Sequence, residues 1–207
     1  KPVDQTKLEA ALARALQYFR LRHQVNGLRA ELAERFRIVG HSKALGQVRD
    51  LISRAAPTTA SVLITGDSGV GKELVAWAIH LQSPRQAEPF VALNCAAIPK
   101  ELIESELFGH ERGAFTGATQ RKMGLCETAN GGTLFLDDIN VVPNEIQAKL
   151  LRFIENKTFV RLGGTTDLSA DVRVVAASNE DLEKLCREGR FREDLYFRLK
   201  VILIDLP

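Results

Sequence analysis

Lys72 follows glycines at 66, 69 and 71, and the carboxylate pair Asp137-Asp138 ends an apolar run; these residues are the best placed in the chain to do chemistry. Gly66-Asp67-Ser68-Gly69-Val70-Gly71-Lys72 fits G-x-x-x-x-G-K, a loop whose backbone N–H groups curl around a phosphate. Glycine permits that curl because a Cβ would block it. Lys72 is then placed to reach the outer phosphates of a nucleotide. Glu73 stands where a hydroxyl commonly ligates magnesium. A carboxylate beside a triphosphate is repulsive, so Glu73 either points away or acts through water. Asp137 has the place of a strand-end acid that holds magnesium, and Asp138 that of the acid that orients or deprotonates the attacking water. The plain alternatives are a glycine-rich turn with a chance lysine and a pair of turn carboxylates.

The elements around these residues favour the chemical reading. Ser61 to Thr65 is a short apolar run, the mark of a buried parallel strand, and it leads directly into the loop. Glu73 to His80 has helical spacing, with Leu74, Trp77 and Ala78 offered to one face. The helix would add its positive N-terminal end to the anion site. Phe90 to Leu93, Gly131 to Asp138, Val172 to Ala176 and Val201 to Leu206 read as further buried strands. Within Ile38 to Ala56, Gly40-His41-Ser42 reads as a turn, with Ser42 capping a helix whose face is Leu45, Val48, Leu51 and Ile52. Further helices are expected over Lys100 to Phe108 opened by Pro99, over Pro143 to Glu155 with Ile146, Leu150, Leu151 and Ile154 inward, over Asp181 to Arg187, and over Phe191 to Lys200. Phe159 to Gly164 and Leu168 to Asp171 read as a hairpin. Strands alternating with helices argue a three-layer α/β/α sandwich with a mainly parallel sheet, its nucleotide at the carboxyl ends of the strands.

Leu8 to Phe36 is rich in Ala, Leu, Glu and Arg and lacks proline, so it reads as a helix. Tyr18, Leu21, Val25, Leu28 and Leu32 form a short heptad stripe, and Leu8, Leu12, Ala15 and Phe19 an earlier one in another phase. A signalling coiled coil and a plain amphipathic helix are equally compatible with them. The domain reading is therefore a linker helix over 1–36 and a nucleotide-binding unit over 37–207.

The net charge of +2 in 207 residues makes no case for nucleic-acid binding on charge alone. Three distant cysteines (Cys95, Cys126, Cys186) form neither a metal spacing nor a disulfide set, which suits a reducing cytoplasm. No apolar run is long enough to span a membrane, so no membrane partner is expected. The stretch opens without Met and reads as a fragment.

Gly109 to Thr119, GHERGAFTGAT, holds Phe115 between Gly113 and Gly117 with little else apolar near it. Either the ring folds back on the surface, or a mobile loop presents Phe115 and Thr116 to a partner, with the aromatic as anchor.

Taken together, GDSGVGKEL, ELFGHERGAFTGA, GGTLFLDDI and FREDLYFRL resemble the AAA+ central domain of bacterial sigma-54-dependent transcriptional activators, from about Ile38 to Pro207. The hexapeptide Gly113-Ala114-Phe115-Thr116-Gly117-Ala118 is the most specific element of the likeness, and Glu after the loop lysine is common in that family. The resemblance implies ATP and magnesium as ligands, with Gly66 to Glu73 around the phosphates and Lys72 on the β/γ-phosphates. Asp137 would hold magnesium, and Asp138 would stand where the water-activating glutamate usually is. Asn94 would pair with that acid, and Asn179 would sense the γ-phosphate. Arg192 and Arg198 would act as arginine fingers on a neighbouring subunit, which implies a ring, usually a hexamer. The hexapeptide would touch sigma-54 in the RNA polymerase holoenzyme, with Arg161 to Gly164 as a second loop moving with it. Promoter or enhancer DNA would be bound by a domain absent from this stretch, as would the family's helical lid be missing.

Asp138 departs from the family pattern by one methylene, which predicts slower hydrolysis. The leading expectation is an ATP-hydrolysing remodeller of the sigma-54 holoenzyme. The alternatives are a nucleotide-binding regulatory module with little turnover, for which Asp138 speaks, and a generic AAA+ motor, against which the intact hexapeptide speaks.

Overall fold

The structure, a computed structural model, describes residues 42–207, residues 38–40 and, upstream, Leu16, Phe19, Gly27, Glu31, Glu34 and Phe36. The chain divides into two compact units, Lys1–Arg37 and Ile38–Pro207. In the first, Leu16, Phe19, Gly27, Glu31 and Glu34 are helical. The heptad stripe from Tyr18 to Leu32 lies outside the described residues.

In the second unit, Ser42 caps helix α1 (Lys43–Ala55) by accepting from the Leu45 amide, as expected. Strand β1 (Val62–Thr65) runs into the glycine loop, and helix α2 (Lys72–Leu81) leaves it. Strand β2 (Phe90–Asn94) is followed by a 3₁₀ turn (Cys95–Ala97) and helix α3 (Lys100–Phe108). A two-stranded ribbon of β3 (Gly109–His110) and β4 (Lys122–Met123) carries the hexapeptide at its tip, before the short helix α4 (Leu125–Thr128). Strand β5 (Thr133–Asp137) ends at the carboxylates and leads through a 3₁₀ turn (Ile139–Val141) to helix α5 (Asn144–Asn156). A small ribbon pairs β6 (Thr158–Phe159) with β7 (Leu168–Ser169), shorter than the hairpin read from the sequence. Strand β8 (Arg173–Ser178), helices α6 (Leu182–Arg187) and α7 (Glu193–Leu199) and strand β9 (Ile202–Asp205) complete the unit.

The main sheet has the order β2-β5-β8-β1-β9, and every pairing in it is parallel. Non-sequential neighbours force crossovers, and apolar residues fill both faces. Leu63, Leu134, Leu136, Val174 and Ala176 point into one core, with Leu150 and Phe153 of α5. Val62, Ile64, Phe135, Val175 and Ala177 point into the other, with Val48 and Ile52 of α1 and Val75, Ala76 and Ile79 of α2. The alternation along β1 and β8 is that of strands buried on both sides.

Two helical faces differ from expectation. In α2 the sheet-facing stripe is Val75, Ala76 and Ile79, while Leu74 and Trp77 are half-buried, the indole stacking on Phe90 at 3.9 Å between centroids. In α5, Phe153 takes the fully buried place and Leu151 is half-buried. Arg192 is also not on the helix of Arg198: it is the residue that precedes α7, with extended backbone.

Candidate functional site

Three parallel strands deliver the candidate groups to one edge. β1 delivers the glycine loop, β5 delivers Asp137, and β8 delivers Ser178 and Asn179. β8 lies between β5 and β1, so register holds Thr65 opposite Ser178 and Leu136 opposite Ala176.

The loop has the backbone a cradle needs. Gly66, Gly69 and Gly71 have φ of 147°, 85° and 96°, and Gly71 is the left-handed N-cap of α2. A Cβ on Gly66 would stand 3.0 Å from the Leu206 Cβ and 3.1 Å from its carbonyl, so a side chain there would be both crowded and strained by the positive φ. Asp67, Ser68, Gly69 and Val70 are exposed, and Glu73 points to solvent in the first turn of α2. Lys72 is buried, and its Nζ donates to the carbonyls of Gly66 and Asp67, both at 2.9 Å. Its ammonium therefore sits at the inner wall of the loop, where the N–H groups and the α2 terminus add positive potential.

Asp137 is half-buried, and its Oδ1 accepts from the Asp138 amide at 3.0 Å. Burial and the Asp138 charge raise its carboxyl above the ordinary range, against the opposing pull of that amide and of Lys72. Cys95, close behind, is pushed up to about 12 by burial and by the same two carboxylates, so it stays a thiol. Crowded negative charge suits a divalent cation. Among the described residues no group of three His, Cys, Asp or Glu forms a cage; Asp137 is a carboxylate that could hold magnesium if nucleotide phosphates supplied further oxygens.

Asp138 adopts φ 50° and ψ 48°, a left-handed backbone that Asp tolerates better than most residues. Two residues on, Asn140 is buried; its Nδ2 donates to Glu180 Oε1 at 2.8 Å and its Oδ1 accepts from Ser178 Oγ at 3.4 Å. The single Ser178 hydroxyl proton is better placed toward the Glu180 carbonyl at 2.7 Å, so the 3.4 Å approach to Asn140 is a weak second contact. The turn after Asp138 is thus tied to both residues flanking the exposed Asn179. Sequence reasoning missed this link because its partners lie some forty positions apart; the one local sign was a polar Asn inside an otherwise apolar turn, IN-VV.

Asn94 is in register with Asp137, not with Asp138. Its Oδ1 accepts from the amides of Ala96 (2.9 Å) and Ala97 (3.0 Å), capping the 3₁₀ turn. Beside the loop lies a cleft of about 430 Å³ lined by Gly66, Asp67, Asn179, Glu180, Asp181 and Asp205 among others.

Neither arginine lines this cleft. Arg192 forms a two-pronged ion pair with Asp194 (3.0 and 2.6 Å), and its amide donates to Gln147 Oε1 at 2.8 Å. Arg198 lines a second cleft, of about 490 Å³, with Thr59 to Ser61, Lys157, Asp171 and Val172. Those residues precede β1 and β8, so Arg198 lies at the amino ends of the strands. Each strand of four to six residues spans about 13–20 Å, more than an arginine side chain reaches.

The hexapeptide is a closed turn: the Gly113 amide donates to the Ala118 carbonyl at 2.8 Å and the Ala118 amide to the Phe115 carbonyl at 3.0 Å. Phe115 meets His110 edge-on, ring centroids 5.0 Å apart, yet keeps 37% exposure, and Thr116 is exposed. The ring thus folds back on His110 while part of it stays at the surface. The second loop is tied to its base, since the Glu111 amide donates to the Leu162 carbonyl and the Leu162 amide to the Gly109 carbonyl, both at 3.0 Å. Arg161 is 6% exposed and grips Glu127 through two nitrogens (2.9 and 2.6 Å) and Glu111 through a third (2.9 Å).

Comparison with known proteins gives this geometry a context. Residues 38–205 match the sigma-54 interaction domain. The chain is 51% identical over 207 residues to the DNA-binding transcriptional regulator NtrC of Proteus hauseri, covering all of this chain and 44% of that protein. It superposes on the crystal structure of NtrX from Brucella abortus in complex with ATP with a TM-score of 0.85 at 42% identity, over all of this chain and 43% of that one. A P-loop NTPase domain of a sigma-54 activator from E. coli, at a TM-score of 0.54 and 19% identity over 82% of this chain and 99% of that one, shares the fold. The chain spans less than half the length of the curated relative it matches.

Proposed function

The chain belongs to the sigma-54 interaction domain family of AAA+ P-loop NTPases, and from that premise we propose that it binds and hydrolyses ATP between the subunits of a ring. In this reading the Gly66–Glu73 loop and Lys72 bind the phosphates, and Asp137 holds magnesium. The ion would screen the phosphate charge against the carboxylates. Asp138 orients the attacking water and accepts its proton, and Asn179 touches the γ-phosphate. Asn94, one strand away, couples that state to α3 and the ribbon beyond it. The GAFTGA tip, residues 113–118, engages sigma-54 RNA polymerase holoenzyme in the cytoplasm, while DNA is read by a part of the whole protein outside this stretch.

The observation that supports assembly is the separation of Arg198 from the phosphate loop across the sheet. An arginine at the amino ends of the strands cannot serve its own chain's nucleotide, but it can serve a neighbour's. Charge developing on the transferred phosphoryl would meet that guanidinium in the transition state, an effect of the order of 10³ or more in rate.

The test is the ATPase rate of the full-length protein against its concentration. A specific activity that climbs with concentration supports sites completed between subunits. Lys72→Ala and Arg198→Ala should each be inactive alone, and a mixture should regain activity where an intact arginine meets an intact loop. A mixture as inactive as its components would sink the shared site. The second reading, a switch with little turnover, rests on Asp138, whose carboxylate is one methylene short. Full assembly with a flat, near-zero rate despite tight ATP binding would favour it.

A further inference from the structure

The cleft around Arg198 holds more positive charge than its own architecture uses. Lys157 lines it with Arg198 and Arg85, and Arg173 lies directly behind Val172. Arg173 is 1% exposed and donates to the carbonyls of Ala55, Ala56 and Ala60 at 2.7–3.3 Å; among the described residues it has no carboxylate partner. Two acids share the cleft, Asp171 and Glu155. Asp171 is already paired with Arg85 at 2.7 Å. The Arg198 side chain makes no hydrogen bond or ion pair with a described residue.

Lys157 is the unexpected member. It stands at the C-terminus of α5 with φ 59° and ψ 21°, a backbone in which glycine is at ease and a long side chain is strained. Such strain persists where something else depends on the side chain. Its half-buried Nζ donates to the Val172 carbonyl at 2.7 Å, which fixes the ammonium in the cleft wall. Its affinity for its proton is lowered first by burial and further by the charges of Arg85 and Arg198, which lie close enough to be felt, while Asp171 partly offsets them. An isolated fold gains nothing from like charges gathered in one cleft. An arriving polyanion would gain from them.

We propose that Lys157 is a positioning residue for Arg198: its fixed charge keeps the guanidinium from folding back onto the cleft wall and raises the positive potential offered to the triphosphate of an adjoining subunit. The role rests on the between-subunit site proposed above. Lys157 acts through Arg198 and through the field, since its ammonium is anchored on the Val172 carbonyl in the cleft wall.

The left-handed backbone makes the test clean, because Lys157→Gly removes the charge and the strain together. In the full-length protein, at concentrations where assembly is complete, Lys157→Gly should melt close to the parent, relief of the left-handed backbone offsetting the lost bond to the Val172 carbonyl, and lose ATPase kcat about fivefold, with KM for ATP little changed. The deficit should shrink as salt is raised, which a packing role would not produce. Lys157→Arg should restore most of the rate. A Lys157→Gly protein with parental kcat, beside an inactive Arg198→Ala protein, would overturn the role of Lys157 alone. Should Arg198→Ala also keep its rate, the shared site falls and this inference with it. A kcat loss that salt leaves unchanged would reduce Lys157 to a helix-end pin and overturn the proposal.

Discussion

At the carboxyl ends of the strands, Lys72 and Lys200 face a larger crowd of acids: Asp137, Asp138, Glu180, Asp181 and Asp205. At the amino ends, Arg85, Lys157, Arg173 and Arg198 outnumber Asp171 and Glu155. The sheet therefore separates charge along its strands. Each end carries a surplus that the other end of the same molecule cannot neutralise across the intervening strands. A second copy, presented end to end, can. This contrast explains how a chain of net charge +2 can still be strongly polar in its chemistry.

The largest test breaks the contrast at its exposed cation. Arg198→Ala should lower kcat by about 10³-fold in assembled protein and leave ATP binding by the free subunit unchanged, measured by steady-state kinetics and nucleotide titration. Next, Arg173→Ala should destabilise the unit by about 3 kcal/mol in chemical denaturation, because three inward carbonyls lose their donors. Arg161→Ala should cost about 2 kcal/mol, measured in the same way, by leaving Glu127, whose side chain is 17% exposed, without its counter-charge.

At the acidic end, Asp138→Glu should raise kcat about threefold by closing the gap to water, with a slightly lower melting temperature because Glu tolerates a left-handed backbone less well. An unchanged or lower rate would show that the shorter acid is not what limits turnover. The smallest effect concerns Asp137. Its folded pKa is raised, so its charged form is a burden that appears as pH rises above the ordinary value of 3.8 and is absent below it. Asp137→Asn should therefore melt up to about 3 °C higher at neutral pH and no higher at pH ~3, even as hydrolysis is lost. Equal melting at both pH values would show that the carboxylate is well solvated.

Much of this was legible in the sequence. The strand–loop–helix order around Lys72 and the carboxylates after GGTLFL follow from local runs, because a strand buried on both faces must be apolar throughout. The inner face of α2 was not legible: in LVAWAIHL apolar residues occupy several stripes, and periodicity cannot choose between Leu74–Trp77–Ala78 and Val75–Ala76–Ile79. The burial of Arg173 was equally hidden, since the carbonyls that make it tolerable belong to residues 113 or more positions away. The opposite placement of Arg198 and the glycine loop needed the crossover order of the sheet, which strand patterns alone leave open.

Gly163 lies against Ala114: a methyl at position 163 would stand 2.8 Å from the Ala114 Cβ and 3.0 Å from its Cα. The two loops thus mesh without clearance, and the amide exchange between residues 109–111 and 162 pins them at their roots. A side chain at position 163 would therefore press directly on Ala114, so the space available to the hexapeptide is set in part by a residue of the other loop.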